Sequence, residues 1–151
     1  TLYCREIVYR LCNKDFYGIG FKNNAGGWEI RNPYFKGSSA PKDITIIENG
    51  AGVVTVFEGF FDFLSYQAHI QKGDFPLSNF VVLNSVSFFE KARPYLEKHS
   101  LINLYLDRDS TGQNCTKQAL ASSKKYKDQS GLYQHYKDLN DWVMHIGKLP
   151  K

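Results

Sequence analysis

The chain has 151 residues, 42% of them hydrophobic, 15% aromatic and 23% charged, a composition that excludes disordered and collagen-like classes and fits about one soluble domain with a core of its own. Nineteen Lys and Arg against 15 Asp and Glu leave a net charge of +4, an excess compatible with a polyanionic partner but too small to establish one. No apolar run approaches the ~20 residues that span a bilayer, and the opening Thr-Leu-Tyr-Cys-Arg-Glu lacks both an initiating Met and the order of a signal peptide; the expectation is no membrane partner, a cytoplasmic location and a piece of a longer chain.

Residues 1–50 carry β signals. Tyr3 to Leu11 and Phe16 to Phe21 are aromatic and β-branched runs with Asn13-Lys14-Asp15 as the turn between them, and Asn23-Asn24-Ala25-Gly26-Gly27 turns the chain into Trp28-Glu29-Ile30-Arg31. An antiparallel meander is predicted, followed by a loop over residues 32–42, rich in Pro, Gly and Ser. From about residue 43 the rhythm changes. Residues 53–57, 80–83 and 101–106 are apolar runs of the kind buried on both faces of a parallel sheet. Between and after them, helical spacing covers Phe60 to Gln71, Phe88 to His99 and Thr111 to Tyr126. Gly131 to Tyr136 reads as a further strand and Leu139 to Ile146 as a short last helix. Alternating strands and helices give an α/β fold, a parallel sheet flanked by helices, with the small antiparallel β region in front. The division is residues 1–50 and 51–151. Cys4, Cys12 and Cys115 form no C-x-x-C pair and read as reduced thiols with a packing role.

Ligands bind outside the carboxyl ends of the strands of such a sheet, and acids gather there. The first run ends in Glu58-Gly59-Phe60-Phe61-Asp62, the third in Asp107-Arg108-Asp109-Ser110-Thr111-Gly112. Asp107 and Asp109 are two residues apart, so an extended segment turns both carboxylates to one side. Oxygen-only ligands suit Mg²⁺, and Glu58 can join them or act as general acid or base. Each residue also has a plain structural role open to it: Asp109 or Ser110 as a helix cap, Asp62 as a counter-charge at a helix start. In the 32–42 loop, Arg31, Lys36 and Lys42 stand near Tyr34 and Phe35, a combination that offers phosphate contacts and a stacking face.

The Glu58-Gly-x-x-Asp62 element followed by Asp107-x-Asp109 resembles the Toprim domain shared by DnaG-type primases, topoisomerases and related nucleases. With the late Lys137-Asp138-Leu139-Asn140-Asp141 segment it resembles the primase branch rather than the topoisomerases, and the segment from Gly27 through Pro41-Lys42-Asp43 is similar to primase-like proteins of plasmids and mobile elements. The resemblance implies that Glu58 is the family glutamate, that Asp107 and Asp109 bind metal and take part in catalysis, and that Asp62 and Asp138 are further metal acids. It implies Mg²⁺ or Mn²⁺, NTPs, a single-stranded DNA template, a helicase partner, and synthesis of RNA primers in DNA replication. Asn140 stands where the primases place a second acid, which puts a second metal in doubt, and the zinc finger that precedes such domains is absent from these residues. A Toprim nuclease and a non-catalytic nucleic-acid-binding module remain open. A phosphatase of the haloacid dehalogenase type, suggested by Asp107-x-Asp109-x-Thr111, is disfavoured because that motif opens its fold and here two strands precede it.

Overall fold

The structure, a computed structural model, describes residues 2–70 and 77–146. The chain divides into two compact units, Thr1–Thr45 and Ile46–Lys151.

The first unit is an antiparallel sheet in the order β1-β2-β3-β4, formed by β1 (Cys4–Leu11), β2 (Lys14–Lys22), β3 (Trp28–Asn32) and β4 (Phe35–Ser38). Its first hairpin turns on Cys12 and Asn13, with φ of 48° and 60°, the left-handed pair whose twist matches that of the flanking strands. The turn therefore lies one residue earlier than the sequence suggests, and Cys12 is exposed on it rather than packed. Large residues on β1 and β3 meet across β2 because Gly20 leaves room: a Cβ there would stand 2.9 Å from Ile7 Cγ2 and from Trp28 Cε3. Tyr9 stacks on both Phe16 and Phe35, at 5.7 and 5.3 Å between ring centroids. β4 corrects the expected 32–42 loop. Only Pro33 and Tyr34 make the turn, and Lys36 sits on a strand opposite Arg31.

The second unit is a five-stranded sheet in the order β5-β7-β6-β8-β9, with β5 (Thr45–Ile47), β6 (Val53–Phe57), β7 (Asn79–Val82), β8 (Leu101–Tyr105) and β9 (Tyr126–Asp128). β6 runs parallel to both β7 and β8, and β8 parallel to β9. The fold is thus the expected one, a mostly parallel sheet flanked by helices and preceded by an antiparallel sheet. The apolar runs are continuous because helices cover both faces; Val54, Val56, Phe57, Val81, Val82, Ile102 and Leu104 are fully buried. The helices are α1 (Phe60–Ser65), α2 (Phe89–Leu96), α3 (Ser110–Ser122) and α4 (Leu139–His145). α1 continues as one π-helical turn over Tyr66–Ile70; the expected end at Gln71 lies outside the described residues. Two expectations change. α3 stops at Ser122, whose Oγ donates back to Ala119 O at 2.7 Å, and Tyr126 opens β9 instead of closing a helix. The strand read over 131–136 is a 3₁₀ turn at Ser130–Tyr133. Among the described residues, no helix is long and apolar enough to cross a membrane.

At the start of β7, buried Asn79 binds the preceding turn. Its Oδ1 accepts from Asn49 N and Ala51 N at 2.7 and 3.1 Å, and its Nδ2 donates to Ala51 O at 3.1 Å. The same amide nitrogen lies 2.8 Å from His99 Nε2. That nitrogen therefore accepts, which leaves the proton on Nδ1, 3.1 Å from Leu96 O. We expect Asn79→Leu to cost on the order of 3 kcal/mol, because several buried polar groups lose their partner together. The check is the urea midpoint, which should fall without a change in slope.

Candidate functional site

The register Phe57↔Tyr105 brings the ends of β6 and β8 side by side. Glu58, one residue beyond β6, accepts the Asp107 amide at Oε2, 3.3 Å away. This is the switch point of the sheet. The chain leaves β6 through α1 to reach β7 on one side, then returns across β6 through α2 to reach β8 on the other. Right-handed crossovers in opposite directions place α1 and α2 on opposite faces and leave a crevice at the end of β6.

Several ties hold the Asp107 backbone. Tyr133, fully buried, donates its hydroxyl to Leu106 O at 2.8 Å. Arg108 N donates to Lys137 O at 2.8 Å, which joins the end of β8 to the segment ahead of Asp138. Gly112 lets α3 press against the strand end: a Cβ there would lie 2.2 Å from Asp107 O. The Arg108 guanidinium donates to Ser130 O and Oγ, both at 3.2 Å.

Four of the five acids read from the sequence interact. Asp62, in the first turn of α1, is 6% exposed and accepts Asn140 N at Oδ1, 3.0 Å away. Its carboxyl is pushed up to about 8, first by burial, then by the charge of Asp138 and more weakly by Asp107 and Glu58; the Asn140 amide opposes them. Asp138 caps α4 by accepting Asp141 N at 2.7 Å, and its Oδ2 stands 4.0 Å from Lys137 Nζ. Asp109 caps α3 by accepting Gly112 N at 2.9 Å, the plain role the sequence already allowed. Asn140, at the position of the missing acid, accepts the Ser65 hydroxyl at Oδ1, 2.9 Å away. A short apolar strand followed by an acid made Glu58 and Asp107 readable. Tyr133 gave no such signal, because its hydroxyl reaches the strand end from a 3₁₀ turn.

Among the described residues, no three His, Cys, Asp or Glu side chains form a ready-made cage for a cation. The donor set nevertheless fits a hard divalent ion. It is all oxygen, Glu58 and Asp107 are adjacent, and Mg²⁺ takes one or two carboxylates with water and substrate phosphate for the rest. Neighbouring negative charges that keep a proton on Asp62 also favour a cation there.

The basic residues read from the sequence belong to the first unit. Arg31 and Lys36 face each other across β3 and β4, and both, with Lys42, act electrostatically on buried Glu29. Burial raises the Glu29 carboxyl and the three cations lower it, burial being the larger effect. Tyr34 projects into solvent, 98% exposed, whereas Phe35 is held in the Tyr9 stack.

A family model described as Toprim-like matches residues 55–143, more than half of the chain, and one described as a domain of unknown function matches residues 1–40. Among solved structures, the fold is similar to the primase fragment of the bacteriophage T7 primase-helicase protein, with a TM-score of 0.63 and 16% identity over 93% of this chain. The chain spans 62% of that fragment. It is also similar to a chain of the complex in which the bacteriophage T7 lagging-strand DNA polymerase interacts with primase domains bound to an RNA/DNA hybrid and dTTP. There the TM-score is 0.56 with 17% identity, covering 86% of this chain and 77% of the other. At these identities the likeness is one of fold. No curated protein matches the sequence.

The state of Asp62 sets a pH dependence. In the folded chain it keeps its proton to about pH 8, whereas an ordinary aspartate loses it near 3.8. Between those values the folded chain holds a proton that the unfolded chain has released, so stability falls as pH rises through the window. In metal-free buffer, urea midpoints measured from pH 4 to pH 8 should decline for the wild type and flatten in Asp62→Asn.

Proposed function

Because the chain belongs to the Toprim-like family, we propose that it is a primase-related, nucleic-acid-processing domain that makes RNA primers on single-stranded DNA from NTPs. The observation that carries this reading is the Glu58 carboxylate bound to the Asp107 amide at the switch point of the sheet, with Asp62 and Asp138 within electrostatic reach. The similarity of fold to a phage primase fragment supports it.

In this reading Glu58 and Asp107 would hold Mg²⁺ or Mn²⁺, and Asp62, Asp138 and Asp109 would complete its surroundings. The ion, when bound, offsets the charge that builds on the phosphate oxygens as a 3′ hydroxyl displaces pyrophosphate from an α-phosphate. The hydroxyl gives up its proton to the Glu58 carboxylate. Asp107 has little freedom to drift from the reacting groups, since Tyr133, Gly112 and the Lys137 carbonyl hold the backbone on either side of it. A cation held there would favour the ionised form of Asp62, which burial and the neighbouring acids otherwise keep protonated. Arg31, Lys36 and Lys42 contact the phosphates of template or nucleotide, with Tyr34 as a stacking surface. A helicase fits as a partner.

The test supplies single-stranded DNA, NTPs and Mg²⁺ to the protein. Oligoribonucleotides should form and fall by a factor of about 100 or more in Glu58→Gln and in Asp107→Asn. A shortened template would assign the same carboxylates to a nuclease, and tight DNA binding without product would leave a binding module. Calorimetry with Mn²⁺ should show weaker binding in Asp107→Asn; unchanged affinity would remove the metal from this site.

A further inference from the structure

A groove of about 420 Å³ opens between the segment that follows β7 and the exposed side of α3. Val86 and Phe89 line one wall, and Ser110, Thr111, Asn114 and Gln118 line the other. Ser110, Asn114 and Gln118 recur every fourth residue and so form one row along the helix. Ser110, Thr111, Asn114 and Gln118 are all exposed, which leaves their donors and acceptors open to whatever enters the groove. Its volume falls within the roughly 300–1,000 Å³ typical of small-molecule sites. The neighbouring pocket, lined by Asp107, Arg108, Lys117 and Asp128 among others, holds only about 200 Å³.

The groove starts at the first turn of α3, three residues beyond Asp107 in the chain. Cys115 lies in it, half-buried, and its thiol is pushed up to about 11 by burial first and then by the charges of Glu58 and Glu90. No Lys or Arg lines the groove, and Glu90, the charged residue in its wall, is paired with Arg93 at 2.7 Å. A phosphate is therefore a poor occupant. Neutral amides and hydroxyls facing an apolar wall suit a flat, uncharged group rich in hydrogen-bonding atoms.

We propose that this groove receives the nucleoside end of a nucleotide whose phosphates lie against Glu58 and Asp107, an inference that rests on the nucleotidyl-transfer reading above. The order of groups along α3 matches. Its first turn, with Ser110 and Thr111, is nearest the carboxylates and meets the sugar; Asn114 and Gln118, one and two turns farther out, meet the base. Ser110 and Gln118 are eight residues and about 12 Å apart along the axis. A carboxamide offers a donor and an acceptor together, so both can pair with any base edge and need not select one. The nucleoside comes either from a free NTP or from the terminal residue of a strand.

Calorimetry on the full chain in Mg²⁺ separates the nucleoside from the phosphates by comparing ATP, a short oligoribonucleotide and inorganic tripolyphosphate. For the wild type, ATP or the oligonucleotide should bind about tenfold tighter than tripolyphosphate, and the probe that shows the margin identifies the source. Asn114→Leu/Gln118→Leu should abolish the margin and leave tripolyphosphate binding unchanged. An undiminished margin in that variant, no margin in the wild type, or equal weakening of all probes would overturn the proposal. Should the variant not fold, the wild-type side-chain amide NMR signals of Asn114 and Gln118 should shift with ATP or the oligonucleotide and not with tripolyphosphate; signals unmoved by either nucleoside probe would overturn it. None of these readouts needs turnover, so a chain that binds ATP this way and makes no primer would refute the synthesis and keep the groove.

Discussion

Carboxylates at the end of a sheet repel one another, and the backbone here gives them little room to move apart. Parallel pairing sets the end of β6 beside that of β8, and the Glu58 side chain is engaged by the Asp107 amide. Asp62 is too deeply buried to swing away and feels Asp138, Asp107 and Glu58 together. Such an arrangement persists only with a proton or a cation among the charges. Of the basic residues nearby in the chain, Lys137 reaches Asp138, its Nζ 4.0 Å from Oδ2, whereas the guanidinium of Arg108, placed between Asp107 and Asp109, is bound by Ser130.

The opposite ends of the strands contrast with this. There Asn79, Ala51 and His99 satisfy one another's hydrogen bonds, and the one carboxylate among them, Glu48, accepts from Asn79 Nδ2 and from the Tyr95 hydroxyl. One edge of the sheet is closed by polar groups that need nothing further, and the other carries charge that calls for an external partner. Parallel pairing makes this division natural, since β6, β7, β8 and β9 end on the same side and the loops that leave them are free to carry acids.

The parts of the fold readable in the sequence are those whose signal is local. β6, β7 and β8 are continuous apolar runs because both faces are covered, and Glu58 and Asp107 stand out as acids directly after such runs. β9 escapes because Tyr-Lys-Asp is short and mixed, and its strand character comes from pairing with β8. β4 is hidden inside a stretch whose Pro, Gly and Ser point to a loop; only pairing with β3 makes it a strand. The proton on Asp62 and the role of Glu29 among Arg31, Lys36 and Lys42 depend on burial and on neighbours distant in the chain. The groove beside α3 was unreadable for the same reason, since its two walls come from segments that follow different strands.

Gly112 has one mechanical consequence. With the Asp107 carbonyl standing where a side chain at residue 112 would go, α3 packs directly against the strand end. α3 has 13 residues and is therefore about 20 Å long. Its far end is held from outside, by the Arg93 guanidinium of α2 bound to the Ser122 hydroxyl at 3.0 Å. The helix thus ties the strand end that carries Asp107 at one end to the Arg93 side chain of α2 at the other.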